Sequence, residues 1–279
     1  MRITNKYNLP NGLFNALKEM SYVSEDYNQI SVSSLVSPPL IWYLRKKYDE
    51  QIEEDASQRL WALLGSSVHY IIEKAENKNI TEEKMSIEVD GVKIVGRFDV
   101  YTEDKEIIDY KITSVYSFLL GEKEEWTNQL NVYAYMLRTI GFDVEHAYIY
   151  AILRDWKERD ALKDEDYPPI PFIQVEVNLW PFEEQERYVK ERVYLFKRIQ
   201  QEPLENFICS DKERWKRGGE IALKQKGRER AIKIFKDGVP SNLVLSENQY
   251  LEERPVEFMR CQKYCVVRNV CPWGVKNGD

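Results

Sequence analysis

The sequence predicts an α/β protein in which a mixed β-sheet carries helices on its faces. Three observations predict it: apolar residues at 3.6-residue spacing from Leu60 to Ala75, hairpin grammar around Asp90-Gly91, and a return to helical spacing between Trp126 and Leu137 before further strand-like runs. In chain order, Ser33, Ser34 and Ser37 followed by Pro38 and Pro39 are helix-start chemistry, and a short helix carrying Arg45, Lys46 and Lys47 follows. Leu60, Leu64, Val68, Ile71, Ile72 and Ala75 then mark a long amphipathic helix, expected to bury that face, with His69 and Glu73 sharing another. Met85 to Val89, Val92 to Tyr101 and Glu106 to Lys111 read as three consecutive antiparallel strands. A second helix ends at Gly141, Val144 to Leu153 and Phe172 to Val177 are strands, and a helix over Phe182 to Gln200 closes this part.

The 279 residues, 43% hydrophobic and 31% charged, allow one elaborated domain or two small ones. Residues 1–56 read as an N-terminal helical segment, 57–201 as the core, and 202–279 as a basic, cysteine-containing and helical C-terminal region packed on that core. Apolar stretches such as Ala147 to Leu153 fall far short of the roughly 20 residues that span a bilayer, and the N-terminus lacks a signal pattern, so a cytoplasmic protein is expected. A formal charge of −7 offers no global attraction to phosphate. Only two histidines occur, His69 and His146, which rules out a His-Glu-x-x-His zinc helix, and the Gly-rich loops that cradle nucleotide phosphates are absent.

The chemistry concentrates in Gly96-Arg97-Phe98-Asp99 and Ile107-Ile108-Asp109-Tyr110-Lys111. Alternate residues of a strand share a face, so Asp109 and Lys111 point the same way and a neighbouring strand can bring Asp99 beside them. Two carboxylates suit a hard divalent cation, and a lysine beside it can orient or deprotonate an attacking water or offset charge on a phosphoryl transition state. Asp-x-Lys alone is also what a solvated strand face looks like. Here Ile107 and Ile108 make the strand apolar and central, and charges at the end of a buried strand demand an explanation.

With Gly65-Ser66-Ser67-Val68-His69 before these two motifs and Gln129-Leu130-Asn131-Val132-Tyr133 after them, the chain resembles the RecB-like branch of the PD-(D/E)XK nuclease superfamily over about Ser31 to Leu153. The resemblance implies a restriction-endonuclease-like core and a metal-dependent DNA nuclease, most readily an exonuclease or end-processing enzyme. It further implies that His69, Asp99, Asp109 and the backbone carbonyl of Tyr110 bind Mg²⁺ or Mn²⁺, that Lys111 assists catalysis, and that Gln129 and Tyr133 position substrate. An imidazole ligand favours manganese. The residues themselves leave open a hydrogen-bonded core role for His69 and a simple i, i+4 pairing of Gln129 with Tyr133.

Cys209, Cys261, Cys265 and Cys271 are the only cysteines, the last three in a C-x₃-C-x₅-C run, which suggests metal ligation. Iron-sulfur sites tolerate a grouped trio with a remote ligand, and zinc or free buried thiols are the alternatives. Several nucleases of the branch, including CRISPR-adaptation exonucleases, are similar in holding a 4Fe-4S cluster, although their first cysteine usually precedes the His helix and their trio is usually C-x₂-C-x₅-C. Such a site would pin the C-terminal tail.

Between Asp211 and Lys236 ten basic residues face four acids, +6 within a chain of −7. With Trp215 among them, this fits a surface that contacts phosphates and stacks a base, or else a solvated face with a core tryptophan. Phage-type members of the branch are similar around Cys209-Ser210-Asp211-Lys212-Glu213-Arg214-Trp215. The rival readings are a non-catalytic nucleic-acid-binding protein, or an iron-sulfur component of a repair, recombination or CRISPR-adaptation complex. RNA is a further possible substrate.

Overall fold

The computed structural model describes residues 1–20, 24, 26–119, 124–236 and 238–274, and the chain divides into two compact units, Met1–Asn206 and Phe207–Asp279. The first unit is built on a five-stranded sheet in the order Phe172–Glu176, His146–Leu153, Glu106–Thr113, Val100–Tyr101, Ile80–Thr81. Glu106–Thr113 and His146–Leu153 run parallel, and every other neighbouring pair in it is antiparallel, so the sheet is mixed as expected. Two parallel neighbours need a crossover, and the helix Glu124–Thr139 supplies it. Every residue of that helix from Leu130 to Leu137 is buried, and the strand face carrying Ala147, Ile149, Ala151 and Leu153 is buried with it.

A helix buried on all sides must satisfy its polar side chains internally. Asn131, fully buried, donates to the carbonyls of Thr127 and Asn178, 3.0 Å each, and accepts from the Trp180 amide at 2.8 Å and from Gln185 Nε2 at 3.1 Å. Gln185 lies on the helix Phe182–Arg198 and accepts from Arg138, which ties the two helices together. Asn131→Leu keeps the branched outline of the side chain but strands several of these partners, so denaturant unfolding is expected to show a loss of about 3 kcal/mol.

Two expectations about this unit are corrected. The run Val92 to Tyr101 is not one strand: Val92–Arg97 pairs with Lys84–Val89 and with Gln29–Ser31 in a separate three-stranded sheet, and Val100–Tyr101 belongs to the central one. Phe98 and Asp99 form the break, so the expected meander becomes a strand that passes from one sheet to the next. The amphipathic helix exists over Leu60–Ala75, but none of its residues is buried, and Leu60, Leu64 and Ile71 are 38%, 40% and 64% exposed. Periodicity reports an apolar face and does not report what covers it.

The second unit is not helical as expected. Among its described residues, Ile221–Gln225 pairs antiparallel with Lys233–Phe235 and Gln249–Glu253, and Lys216–Arg217 pairs with Glu257–Phe258. The only helical element described after Phe207 is the single π-helical turn Arg260–Tyr264. Gly218, Gly219, Gly227 and Gly238, all at positive φ, cut the segment into pieces too short for helices. Gly218 is irreplaceable on space as well, since a Cβ there would lie 1.8 Å from the Pro255 carbonyl oxygen. Among the described residues, no helix of either unit is long and apolar enough to cross a membrane.

Candidate active site

The break at Phe98-Asp99 builds the site. Val100 pairs with Ile108 and Tyr101 with Ile107, so continuing that register sets Asp99 opposite Asp109. Thr81 pairs with Val100, and the same continuation on the other side sets Glu82 opposite Asp99, with the Glu82 amide donating to the Asp99 carbonyl at 3.0 Å. Three acids thus fall on adjacent positions across the sheet. The Asp99 carboxylate, released from a regular ladder, accepts from the Tyr110 amide through Oδ2 at 2.7 Å and turns Oδ1 to His69 Nδ1 at 3.1 Å.

His69, Glu82 and Asp99 form the one group of three potential metal ligands found among the described residues, with a ligand atom from each lying within 4.8 Å of the others. His69 Nδ1 is 3.6 Å from Glu82 Oε1, and Glu82 Oε2 is 2.5 Å from Arg97 Nε. The hydrogen bond to Asp99, helped by the charges of Asp99, Asp109 and Glu82, raises the His69 pKa against the opposing effect of burial. Burial likewise raises the pKa of Glu82, and Arg97 opposes it. The His69 shift records the acids gathered around the imidazole.

Asp109 lies outside that three-membered group. It is 3% exposed, and its Oδ2 sits 2.6 Å from Lys111 Nζ, yet the approach is too oblique to satisfy that oxygen as a hydrogen bond. Burial, reinforced by Asp99 and opposed by Lys111, pushes the Asp109 carboxyl up to about 6. A buried carboxylate oxygen without a well-directed partner beside two further acids and an imidazole is a donor set that fits a hard divalent cation. Lys111 also donates to Gln129 Oε1 at 3.2 Å, so Gln129 holds the lysine.

Tyr133 lies against the strand that leads into Asp99. It is buried, and its hydroxyl donates to the Arg97 carbonyl at 2.9 Å. Its ring packs on Gly96, where a Cβ would lie 2.7 Å from Tyr133 Cε1 and 2.8 Å from Val32 Cγ2. The glycine of Gly96-Arg97-Phe98-Asp99 is therefore a place where a ring must come close to the backbone, three residues before Asp99. Tyr133 fixes the strand that carries Arg97 and leads into Asp99.

His69, Glu82, Asp99, Arg97 and Lys111 line an open cleft of about 910 Å³ whose walls also include Ser33, Gly65 and Tyr70. Glu82 is the residue that sequence reasoning missed. Its signal lies in register rather than spacing, because it becomes a neighbour of Asp99 only once the short strand Ile80–Thr81 is known to pair with Val100–Tyr101.

In the second unit the four cysteines come near enough for their charges to act on one another. Burial first, then Glu213 and the other three thiols, pushes Cys209 up to about 12, and burial raises Cys265 and Cys271. Cys261 lies within the π-helical turn and Cys265 caps its end. Trp215 is 43% exposed, with Arg260 5.5 Å from its ring centroid and Tyr264 at 5.4 Å, so the core-tryptophan alternative does not describe it. Of the ten basic residues in this segment, Lys216 is paired with Asp211 and Lys224 with Glu252.

A family model for the PD-(D/E)XK nuclease superfamily matches residues 41–272. Among solved structures, the chain is similar to SSO0001, at 24% identity and a TM-score of 0.44 over 66% of this chain and 83% of that one. It is also similar to an alkaline exonuclease, LHK-Exo, from Laribacter hongkongensis, at 13% identity and a TM-score of 0.39 over 61% of this chain and 89% of that one. No curated protein matches the chain.

Proposed function

Because the chain belongs to the PD-(D/E)XK nuclease superfamily, a group of divalent-metal phosphodiesterases, we propose that it is a deoxyribonuclease of the RecB-like branch acting at DNA ends. The observation that carries this reading is the convergence of His69, Glu82 and Asp99 at the mouth of the cleft, with the Asp109–Lys111 pair beneath them. His69, Glu82, Asp99, Asp109 and the Tyr110 carbonyl would hold Mg²⁺ or Mn²⁺, which when bound draws charge from a phosphate oxygen and lowers the pKa of a bound water.

The chain's own groups do the rest. Asp109 anchors Lys111, and Gln129 restricts where its remaining N–H groups point, so Lys111 presents donors to the non-bridging phosphate oxygens, where negative charge grows as water attacks. The attacking water loses its proton to solvent or to a neighbouring carboxylate. The bond from phosphorus to the leaving oxygen breaks, and that oxygen takes up a proton. Arg97, tied to Glu82, keeps the acid turned into the cleft. Tyr133 acts through the backbone as a positioning residue, its hydroxyl bonded to the Arg97 carbonyl.

The cysteine quartet would hold an iron-sulfur cluster of the 4Fe-4S type. Ligation needs the thiolates, so binding such a group would release the protons that burial holds on Cys209, Cys265 and Cys271. The basic segment with Trp215 would contact nucleic acid, and protein partners in a repair, recombination or CRISPR-adaptation complex would be recruited around it.

Anaerobic purification with metal analysis and visible absorption, followed by digestion of end-labelled single- and double-stranded DNA and RNA, tests this reading. Cutting that requires Mg²⁺ or Mn²⁺, releases label from DNA ends and stops with EDTA is expected, with manganese the better activator. Absence of cutting in every metal with a folded protein would refute it.

A further inference from the structure

A second pocket lies beside the metal cleft and shares Ser33 with it. Its volume is about 460 Å³, and it is walled by Ser31, Ser34, Ser37, Gln29, Arg45 and Lys46 together with Trp42 and Ile41. No carboxylate is among the described residues that line it, in contrast to the cleft next door. It holds two cations in a chain whose net charge is −7.

Arg45 Nε is buried and has no hydrogen-bond partner, so a charged donor has been taken out of water without a hydrogen bond in return. Two acids act on it through space, Glu54 and Asp49; Glu54 is paired with Arg59, and Asp49 is paired with the amino terminus through Oδ2 while its Oδ1 has no hydrogen-bond partner. Burial lowers the pKa of Arg45 and also that of Lys46. Lys46 Nζ donates to the Asp26 carbonyl and lies 4.9 Å from the ring centroid of Trp42 and 5.1 Å from that of Tyr27, which fixes its ammonium at the pocket wall. Ser31 donates its hydroxyl proton to Ser34 Oγ at 2.8 Å, leaving the Ser34 proton free for a ligand. Two cations and the free Ser34 hydroxyl in a concave pocket without a carboxylate among its described lining form a receptor for an oxyanion.

We propose that this pocket binds a phosphate group of the substrate strand other than the one being cleaved, with Arg45 and Lys46 as the charged donors and Ser34 as the neutral one. The proposal rests on the nuclease reading for the identity of the strand, and the pocket's affinity for phosphate is measurable without it. Holding a second phosphate while the first lies at the cleft sets how far along the strand the cut falls.

The test uses the full-length protein in EDTA, so that neither metal nor cleavage contributes. Inorganic phosphate is expected to raise the melting temperature of the wild type above that in sodium chloride of equal ionic strength, and to do so far less in Arg45→Met and Lys46→Met. Arg45→Met forfeits no hydrogen bond from Nε, and Lys46→Met is the second route should it fold poorly. Fluorescent oligonucleotides carrying a 5′-phosphate, a 3′-phosphate or neither are then titrated in EDTA, and about tenfold weaker binding by the variants is expected. A loss confined to one end-phosphorylated oligonucleotide identifies a terminal phosphomonoester, and an equal loss on all three an internal diester. Equal thermal shifts in all three proteins, or no loss on any oligonucleotide, would overturn the proposal. Intact binding without cutting in any metal would instead sink the nuclease reading and leave the phosphate pocket standing.

Discussion

Asp109→Asn is expected to lower kcat by about three orders of magnitude or more while leaving the protein folded. The side chain is buried at the end of an apolar strand, so its charge is not there for solubility or surface pairing, and its Oδ2 lacks a well-directed partner. Asparagine fills the same space but removes a charged donor to the cation and releases Lys111 from its anchor. The stability readout has the opposite sign. An acid whose pKa is raised on folding, here to about 6, contributes most at low pH, and that contribution is lost as pH rises from the unfolded value through the folded one. Metal-free wild type should therefore melt progressively lower between about pH 4 and pH 7, and Asp109→Asn should flatten that part of the profile. Mg²⁺ or Mn²⁺ should raise the wild-type melting temperature near neutral pH and raise that of the variant much less. Unchanged cleavage in the variant would remove Asp109 from the site.

Much of this arrangement is legible from the chain alone because strands and helices convert spacing into direction. Asp109 and Lys111 share a face in any strand, and Ile107 and Ile108 mark that strand as central, which the parallel pairing with His146–Leu153 bears out. Gln129 and Tyr133 share a face in any helix, but spacing does not say whether that face meets solvent or protein, and Tyr133 proves to be packed on Gly96. The break at Phe98-Asp99 escapes a pattern reading because the residues on either side have equally good strand character. What ends the strand is the transfer from one sheet to another, a tertiary event with no local marker. The C-terminal unit misleads for the converse reason: its charge pattern suits a helix, and four glycines at positive φ decide against it.

Glu82→Ala carries the largest effect assigned to a residue that no sequence motif indicates. If the cation is held by His69, Glu82 and Asp99 as a unit, removing one of three ligands should raise the metal concentration for half-maximal cleavage by on the order of 100-fold and cut the rate in saturating metal. Glu82 also holds Arg97, so a loss of activity alone would not separate ligation from positioning. Glu82→Gln separates them, because the amide oxygen can still accept from Arg97 Nε while offering the cation a neutral donor. Recovery of metal affinity toward the wild-type value in Glu82→Gln would assign Glu82 to orienting Arg97. Metal affinity that stays low in both variants, with near-wild-type thermal stability in EDTA, would assign it to the cation. The second outcome is the expected one, because Glu82 Oε1 faces His69 Nδ1 at 3.6 Å while only Oε2 is engaged by Arg97. A carboxylate with one oxygen committed to a guanidinium and the other turned toward an imidazole and a second acid has one free ligand atom, and it points to where the charge deficit lies.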